Sequence, residues 1–216
     1  MTADWQLQLK AKLAPVTLER PGEVEQSAVS LILRPHAQSG APEILFIKRA
    51  ERSDDPWSGH MAFPGGRRHG EDQTIAQTSV RETYEEIGLR LGAHQTLGAL
   101  EAYSPRVTPE LTVHPYVFYV NDVPELFLDP NEVQEVHWVP VELAFNASSF
   151  SERPYTFRGI SLTLPTFSFL GRHIWGVTYV IFLDFLFALA ETTWGQEILR
   201  QRNFDPKERW KYHPYR

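Results

Sequence analysis

Three glutamates crowd the end of one predicted helix, and no other feature of the chain narrows its fold and chemistry as much. Residues 63–89 read FPGGRRHGEDQTIAQTSVRETYEEIGL. A Pro-Gly-Gly turn leads through a polar loop into a segment free of glycine and proline from Gln73 until Gly88. Gly65 and Gly66 mark backbone that takes unusual dihedrals or passes close to another group. Gly88 suits the position just past a helix C-terminus. Ala76, Val80, Thr83 and Ile87 recur at intervals of three and four, which predicts one packed face. Glu82, Glu85 and Glu86 then project together from a neighbouring face.

That placement works against the helix. Each acid at a helix C-terminus costs about 0.3–1 kcal/mol, and the like-charge pair Glu82/Glu86 adds about 0.2–0.5 kcal/mol. Arg81, four residues before Glu85, offsets only part of this. A local rule broken without visible compensation predicts a functional site. Clustered carboxylates are how a protein supplies the oxygen ligands of hard cations such as Mg²⁺ or Mn²⁺. On charge alone, a solvated acidic helix end explains the same residues.

The stretch resembles the signature box of the Nudix hydrolases, in which a glycine leads through a loop to Arg-Glu-(apolar)-x-Glu-Glu-x-Gly-(apolar). Its second half reads Arg81-Glu82-Thr83-Tyr84-Glu85-Glu86-Ile87-Gly88-Leu89, with Thr83 off pattern at an apolar position. The loop from Gly66 to Arg81 is one residue longer than in the usual box, and its acid falls at Glu71 or Asp72. A longer loop after Phe-Pro-Gly-Gly is similar to the coenzyme A pyrophosphatase branch. So are Arg49-Ala50, Gly59 ahead of Phe63-Pro64-Gly65-Gly66, and the late Ile174-Trp175-Gly176-Val177-Thr178. One element is missing. Where that branch carries a middle arginine associated with coenzyme A recognition, this chain has Asp54 and Asp55, and Gly59 comes one residue late.

Composition bounds the rest. A length of 216 residues with 42% hydrophobic and 12% aromatic residues suits an ordinary globular domain with extensions. The net charge of −6 and the lack of a basic stripe argue against a nucleic-acid binder. With no cysteine, disulfides, thiolate metal sites and cysteine nucleophiles are excluded. The N-terminus lacks the apolar stretch of a secretory signal, so a cytoplasmic protein is the expectation.

Residues 4–14 suit a short amphipathic helix stopped by Pro15, and residues 16–26 a connector. Residues 27–35 and 43–50 read as paired strands, and residues 112–120 as a strand that Pro115 makes an edge or a bulged one. Residues 128–145 read as turn, strand and short helix, and residues 153–169 as a hairpin turning at Arg158-Gly159. The apolar run 174–190 is barely long enough to span a bilayer and carries Asp184, so it reads as a buried helix. Its all-round apolarity is compatible with a homodimer interface. Residues 196–216 read as a polar, peripheral tail.

The resemblance implies an α/β fold, a mixed sheet sandwiched between helices, over residues 27–195. It implies Mg²⁺ or Mn²⁺ held by Glu82, Glu85 and Glu86, with Arg81 orienting Glu85, and a further acid from a distant loop. Glu132 and Glu135 are the candidates for that acid, and Glu132 is preferred. Their spacing puts them on opposite faces if the strand has begun by Glu132. Arg49, Trp57, His60, Gly65, Gly66 and Arg106 are candidates for contact with a small-molecule nucleotide, Trp57 and His60 by base stacking or phosphate contact. The implied reaction is divalent-metal-dependent hydrolysis of the diphosphate bond of a nucleoside diphosphate derivative, with coenzyme A or an acyl-CoA as the candidate. Nucleotide sugars, ADP-ribose-like compounds and nucleoside triphosphates are the alternative substrates, and a non-catalytic binding protein is the alternative class.

Overall fold

The computed structural model describes residues 4–16, 25–53, 57–105, 108–157 and 160–211. The fold starts from two strands without polar faces, β1 (Glu25–Pro35) and β2 (Pro42–Arg49), which run antiparallel. Their middles, Leu31–Leu33 and Ile44–Ile47, are apolar on both faces because each is covered on both sides. Leu31, Leu33, Ile44 and Phe46 enter one core, whereas Ile32, Leu45 and Ile47 enter the other.

The pair stays together only from Leu33–Ile44 to Pro35–Pro42 and then splays. β6 (Leu111–Tyr119) takes the outer edge of β1, in parallel, and β7 (Val133–Pro140) takes the outer edge of β2. The opening between β1 and β2 is left to β3 (Met61–Ala62), which pairs with β2, and β4 (Gly65–Arg67), which pairs with β1. Phe63 and Pro64 bridge the split, and the Pro64 carbonyl accepts from the Ser30 N–H at 2.8 Å. β5 (Thr96–Ala99) completes the mixed sheet beyond β6.

Pro115 therefore lies in an interior strand, not at an edge. The Pro115 carbonyl accepts from the Leu100 N–H at 3.0 Å, where the neighbouring chain leaves the ladder between Ala99 and Tyr103. The missing proline N–H falls at that interruption, whereas the bulge in the β5–β6 register lies in β5, between Thr96 and Gly98, opposite Phe118 and Val117 rather than Pro115.

Helices cover both faces. α2 (Ile75–Ile87) packs on one, and α3 (Gly176–Ala190) on the other, where Phe182 meets Phe46 edge-on at 5.4 Å. α1 (Trp5–Lys10) joins α3 and is shorter than expected, because Ala14 leaves to form a bridge with Ala99. β8 (Phe150–Phe157), β9 (Ile160–Phe169) and β10 (Arg172–Ile174) form a second, antiparallel sheet. The turn residues Arg158 and Gly159 lie outside the described residues.

α3 is buried, and its apolar surface is largely taken up within the chain by β9, α1 and α4 (Thr193–Arg202). Among the described residues no single helix is long and apolar enough to cross a membrane. The C-terminal segment is not peripheral. Phe204 and Trp210, which flank α5 (Pro206–Arg209), are buried against Phe145, and the Trp210 Nε1–H donates to the Ala144 carbonyl at 2.9 Å. Two aromatic residues in a polar stretch are enough to dock it.

Candidate active site

α2 is fixed at both ends. Thr74 caps it through a reciprocal pair with Gln77, and Gly88, at φ 71°, closes it by donating to the Tyr84 carbonyl at 2.9 Å. Its buried face differs from the expected one. Ile75, Thr78, Ser79, Glu82, Thr83, Glu86 and Ile87 are buried, while Ala76 and Val80 are only partly covered. Two of the three glutamates thus sit on the packed face, because that face lies over the split in the sheet, where polar partners wait. Thr83 shows the same logic. Its hydroxyl lies 2.8 Å from Ser30 Oγ and 2.7 Å from the Ser79 carbonyl, so a hydroxyl pair replaces the apolar contact of the usual box.

Glu86 is 2% exposed, and its Oε2 accepts from the Gly65 N–H at 2.9 Å. Gly65 has φ 151°, and a Cβ there would stand 2.2 Å from the Ala28 carbonyl oxygen. A Cβ on Gly66 would stand 2.5 Å from the Glu82 carboxyl carbon. The two glycines are what allow strand β4 to pass between β1 and the carboxylates. Burial pushes the Glu86 carboxyl up to about 8, with Glu82 and Glu132 adding to the rise and Gly65 N–H and Arg49 opposing it. Burial also raises Glu82, against the pull of Arg81, and Glu85 and Glu132 reinforce it.

Arg81 organises the neighbourhood. Its Nε and Nη2 donate to the two oxygens of Asp72 at 3.0 and 2.9 Å, Nη2 also to the Arg67 carbonyl at 3.1 Å. Its Nη1 donates to Glu82 Oε1 at 2.9 Å and Glu85 Oε2 at 2.7 Å. Asp72, not the exposed Glu71, is therefore the loop acid. Its burial would raise it, but hydrogen bonds from Arg81, the His69 N–H and the Thr78 hydroxyl prevail and hold it at about 2. The Asp72 hydrogen bond in turn holds the Arg81 guanidinium above its usual range.

The distant acids separate. Glu132 precedes β7 in a turn, is exposed, and bears on both Glu82 and Glu86 through its charge. Glu135 is turned to Arg172, whose Nε donates to it at 3.1 Å, and to His137 Nε2 at 2.7 Å, and those partners hold its carboxyl low. Arg49 is close enough for its charge to act on Glu86. Trp57 and His60 lie instead in an aromatic cluster with Trp175, His60 edge-on at 4.8 Å. Arg106, Asp54 and Asp55 fall outside the described residues.

As the side chains stand, no three imidazole or carboxylate groups among the described residues converge to hold a metal ion. Glu85 is turned to Arg81 and Glu86 to Gly65. The chemistry of the set nevertheless fits a hard divalent cation. Glu82 and Glu86 are buried oxygen donors one helical turn apart, and both are raised by burial and mutual repulsion that a cation would relieve.

Sequence reasoning did not single out Ser30, Tyr155, Arg172 or Trp175. Trp175 stood inside the late Ile-Trp-Gly block, which was a signal; Tyr155 and Arg172 come from a sheet whose position no local pattern specifies.

A mixed sheet between helices, with a glycine turn beneath a Glu-rich helix end, defines a Nudix fold. The chain belongs to the Nudix family, the class of pyrophosphohydrolases, and the NUDIX domain model matches residues 24–158. It is similar to the human mitochondrial coenzyme A diphosphatase NUDT8, with 29% identity over 84% of this chain and 76% of that protein. The mouse protein of the same name is 30% identical over 66% of this chain and 68% of its own. An uncharacterised protein of Schizosaccharomyces pombe is 38% identical over 48% of this chain, which spans only 33% of that relative. A MutT/nudix family protein from Enterococcus faecalis shares the fold, with a TM-score of 0.55 and 16% identity over 85% of this chain and 70% of that one.

Proposed function

We propose that this chain hydrolyses the diphosphate bond of a nucleoside diphosphate derivative, with coenzyme A or an acyl-CoA as the first substrate to test. The observation that carries the reading is the pair Glu82 and Glu86, buried together under the Gly65-Gly66 turn with the charge of Glu132 upon them. The Phe-Pro-Gly-Gly loop and the mammalian relatives named coenzyme A diphosphatases support the substrate.

Glu82 and Glu86, with Glu85 at the rim, would hold Mg²⁺ or Mn²⁺. When bound, the ion neutralises the diphosphate and stabilises charge developing on the departing oxygen. The remaining roles belong to the chain. Gly65 N–H holds the Glu86 carboxyl in one orientation. Asp72 fixes Arg81, which orients Glu85. Glu132, exposed and acting through its charge on the pair, would accept a proton from the attacking water. Arg49, whose charge acts on Glu86, would meet a phosphoryl oxygen.

The absence of the middle arginine near Asp54 and Asp55 favours a second reading, in which the substrate is another nucleoside diphosphate derivative, such as a nucleotide sugar or ADP-ribose. The complete Arg-Glu-x-x-Glu-Glu set speaks against a binding protein without activity.

Glu86→Gln keeps the acceptor for Gly65 and removes the charge. It is expected to lower kcat by about 10³-fold or more, in line with the loss of a central electrostatic group, while the far-ultraviolet spectrum is unchanged. The assay is a substrate panel with Mg²⁺ and Mn²⁺, scored by the phosphate products. Hydrolysis by Glu86→Gln at the wild-type rate would remove the site assignment.

A further inference from the structure

On the face of β2 away from α2 lies a cleft of about 420 Å³, and most of one wall comes from residues beyond the family match at 24–158. Lys48, His60 and Tyr155 line it together with Leu170, Arg172 and Trp175. Tyr155 stacks on Trp175 at 4.2 Å and 22° between planes, and His60 meets Trp175 edge-on at 4.8 Å. Such a ring assembly offers flat faces to a planar ligand. Positive charge accompanies the rings. Lys48 and Arg172 both pair with Glu135, Lys48 at 3.7 Å, and Lys48 lies equally far from the exposed Glu51.

Two further features point to a ligand. Leu170 sits in the β9–β10 turn with φ 46° and is 84% exposed. An apolar side chain in left-handed backbone and turned to water is unfavourable on both counts, which is a mark of a contact made with something else. The cleft is tied through β2 to the strand end that bears on the carboxylates. Lys48 faces the cleft and Arg49, across a bulge in the β2–β7 register, acts on Glu86. The Arg49 N–H donates to the His60 carbonyl at 3.0 Å, so one short stretch of backbone belongs to both places.

We propose that this cleft is a nucleobase-binding subsite, in which the base stacks on the Tyr155–Trp175 pair and a phosphate of the same nucleotide meets Lys48 and Arg172. It rests on the reading of Glu82 and Glu86 as the diphosphate site only in assigning both to one substrate. Specificity then resides in the C-terminal sheet rather than in the box.

The test is direct binding to the full chain without divalent cation, by calorimetry and tryptophan fluorescence. The probes are adenosine 3′,5′-bisphosphate, the 5′-monophosphates of uridine, guanosine and cytidine, and ribose 5-phosphate as the base-free control. At least one nucleotide is expected to bind tenfold or more tightly than ribose 5-phosphate and to change the fluorescence. Tyr155→Ala and Arg172→Ala, both on the second sheet, should each weaken that nucleotide by about tenfold. Trp175→Phe, which preserves a packed ring, should abolish most of the fluorescence change. No nucleotide binding above the base-free control, or full affinity in Tyr155→Ala and Arg172→Ala, would overturn the subsite. Wild-type hydrolysis by Glu86→Gln would instead overturn the diphosphate site and leave the binding result standing.

Discussion

At the scale of single residues, Glu86 sets function against stability. Its carboxyl is held at about 8 by burial, against 4.5 in an unfolded chain. Between these values the folded protein carries a proton that the unfolded protein has released. Stability without metal therefore falls as pH rises from 4.5 towards 8. Glu86→Gln in the presence of a chelator is expected to melt higher than wild type at pH 8, by about 2–4 °C for each kcal/mol recovered, and the gap should close towards pH 4.5. Thermal melts across that range check it, and a variant that melts lower at every pH would show that the charge is not the burden described. Asp72 has the opposite sign. Held at about 2, against 3.8 when unperturbed, it contributes fully above about pH 4 and loses that contribution as pH falls through its folded value.

At the scale of elements, Asp72 is the latch between the loop that follows β4 and helix α2, since it joins His69, Thr78 and Arg81. Asp72→Asn removes the paired charge and leaves Arg81 without its two-pronged partner. The expected loss is on the order of 2–4 kcal/mol, measured by urea unfolding at pH 7, with a shallower decline of stability below pH 4 than in wild type. The elements themselves were largely legible. The span of α2, the β1–β2 pair and the carboxylates of the box follow from periodicity, glycine punctuation and a family pattern. The face that α2 buries did not, because Glu82 and Glu86 are on it only through Gly65 and Gly66, and Thr83 through Ser30, residues brought there by the splayed strands. Pro115 misled for a similar reason. A proline forbids one ladder bond, and the break opposite it depends on how β5 ends. Glu132 and Glu135 were three positions apart in sequence, yet which of them turns to the box depended on where β7 begins and on Arg172, a residue of the second sheet.

At the scale of the whole molecule, the chain closes on its own C-terminus. Trp210 packs among Phe145, Phe187 and Phe204, and the Tyr179 hydroxyl of α3 donates to the Lys211 carbonyl at 3.1 Å. Trp210→Ala is expected to cost about 3–5 kcal/mol, read as a lower urea midpoint, and a midpoint within error of wild type would return the segment to the status of a tail. The parallel pairing of β1 with β6 has a different consequence. It joins Leu33 to Tyr119, with the entire box between them, and contacts so distant in sequence close late and slowly. The Gly65 N–H that receives Glu86 is fixed by β4 on β1, and β1 is completed only by that closure. A nascent chain that has left the ribosome as far as residue 90 therefore carries every glutamate of the box but neither Glu132 nor the strand that completes the pairing of β1.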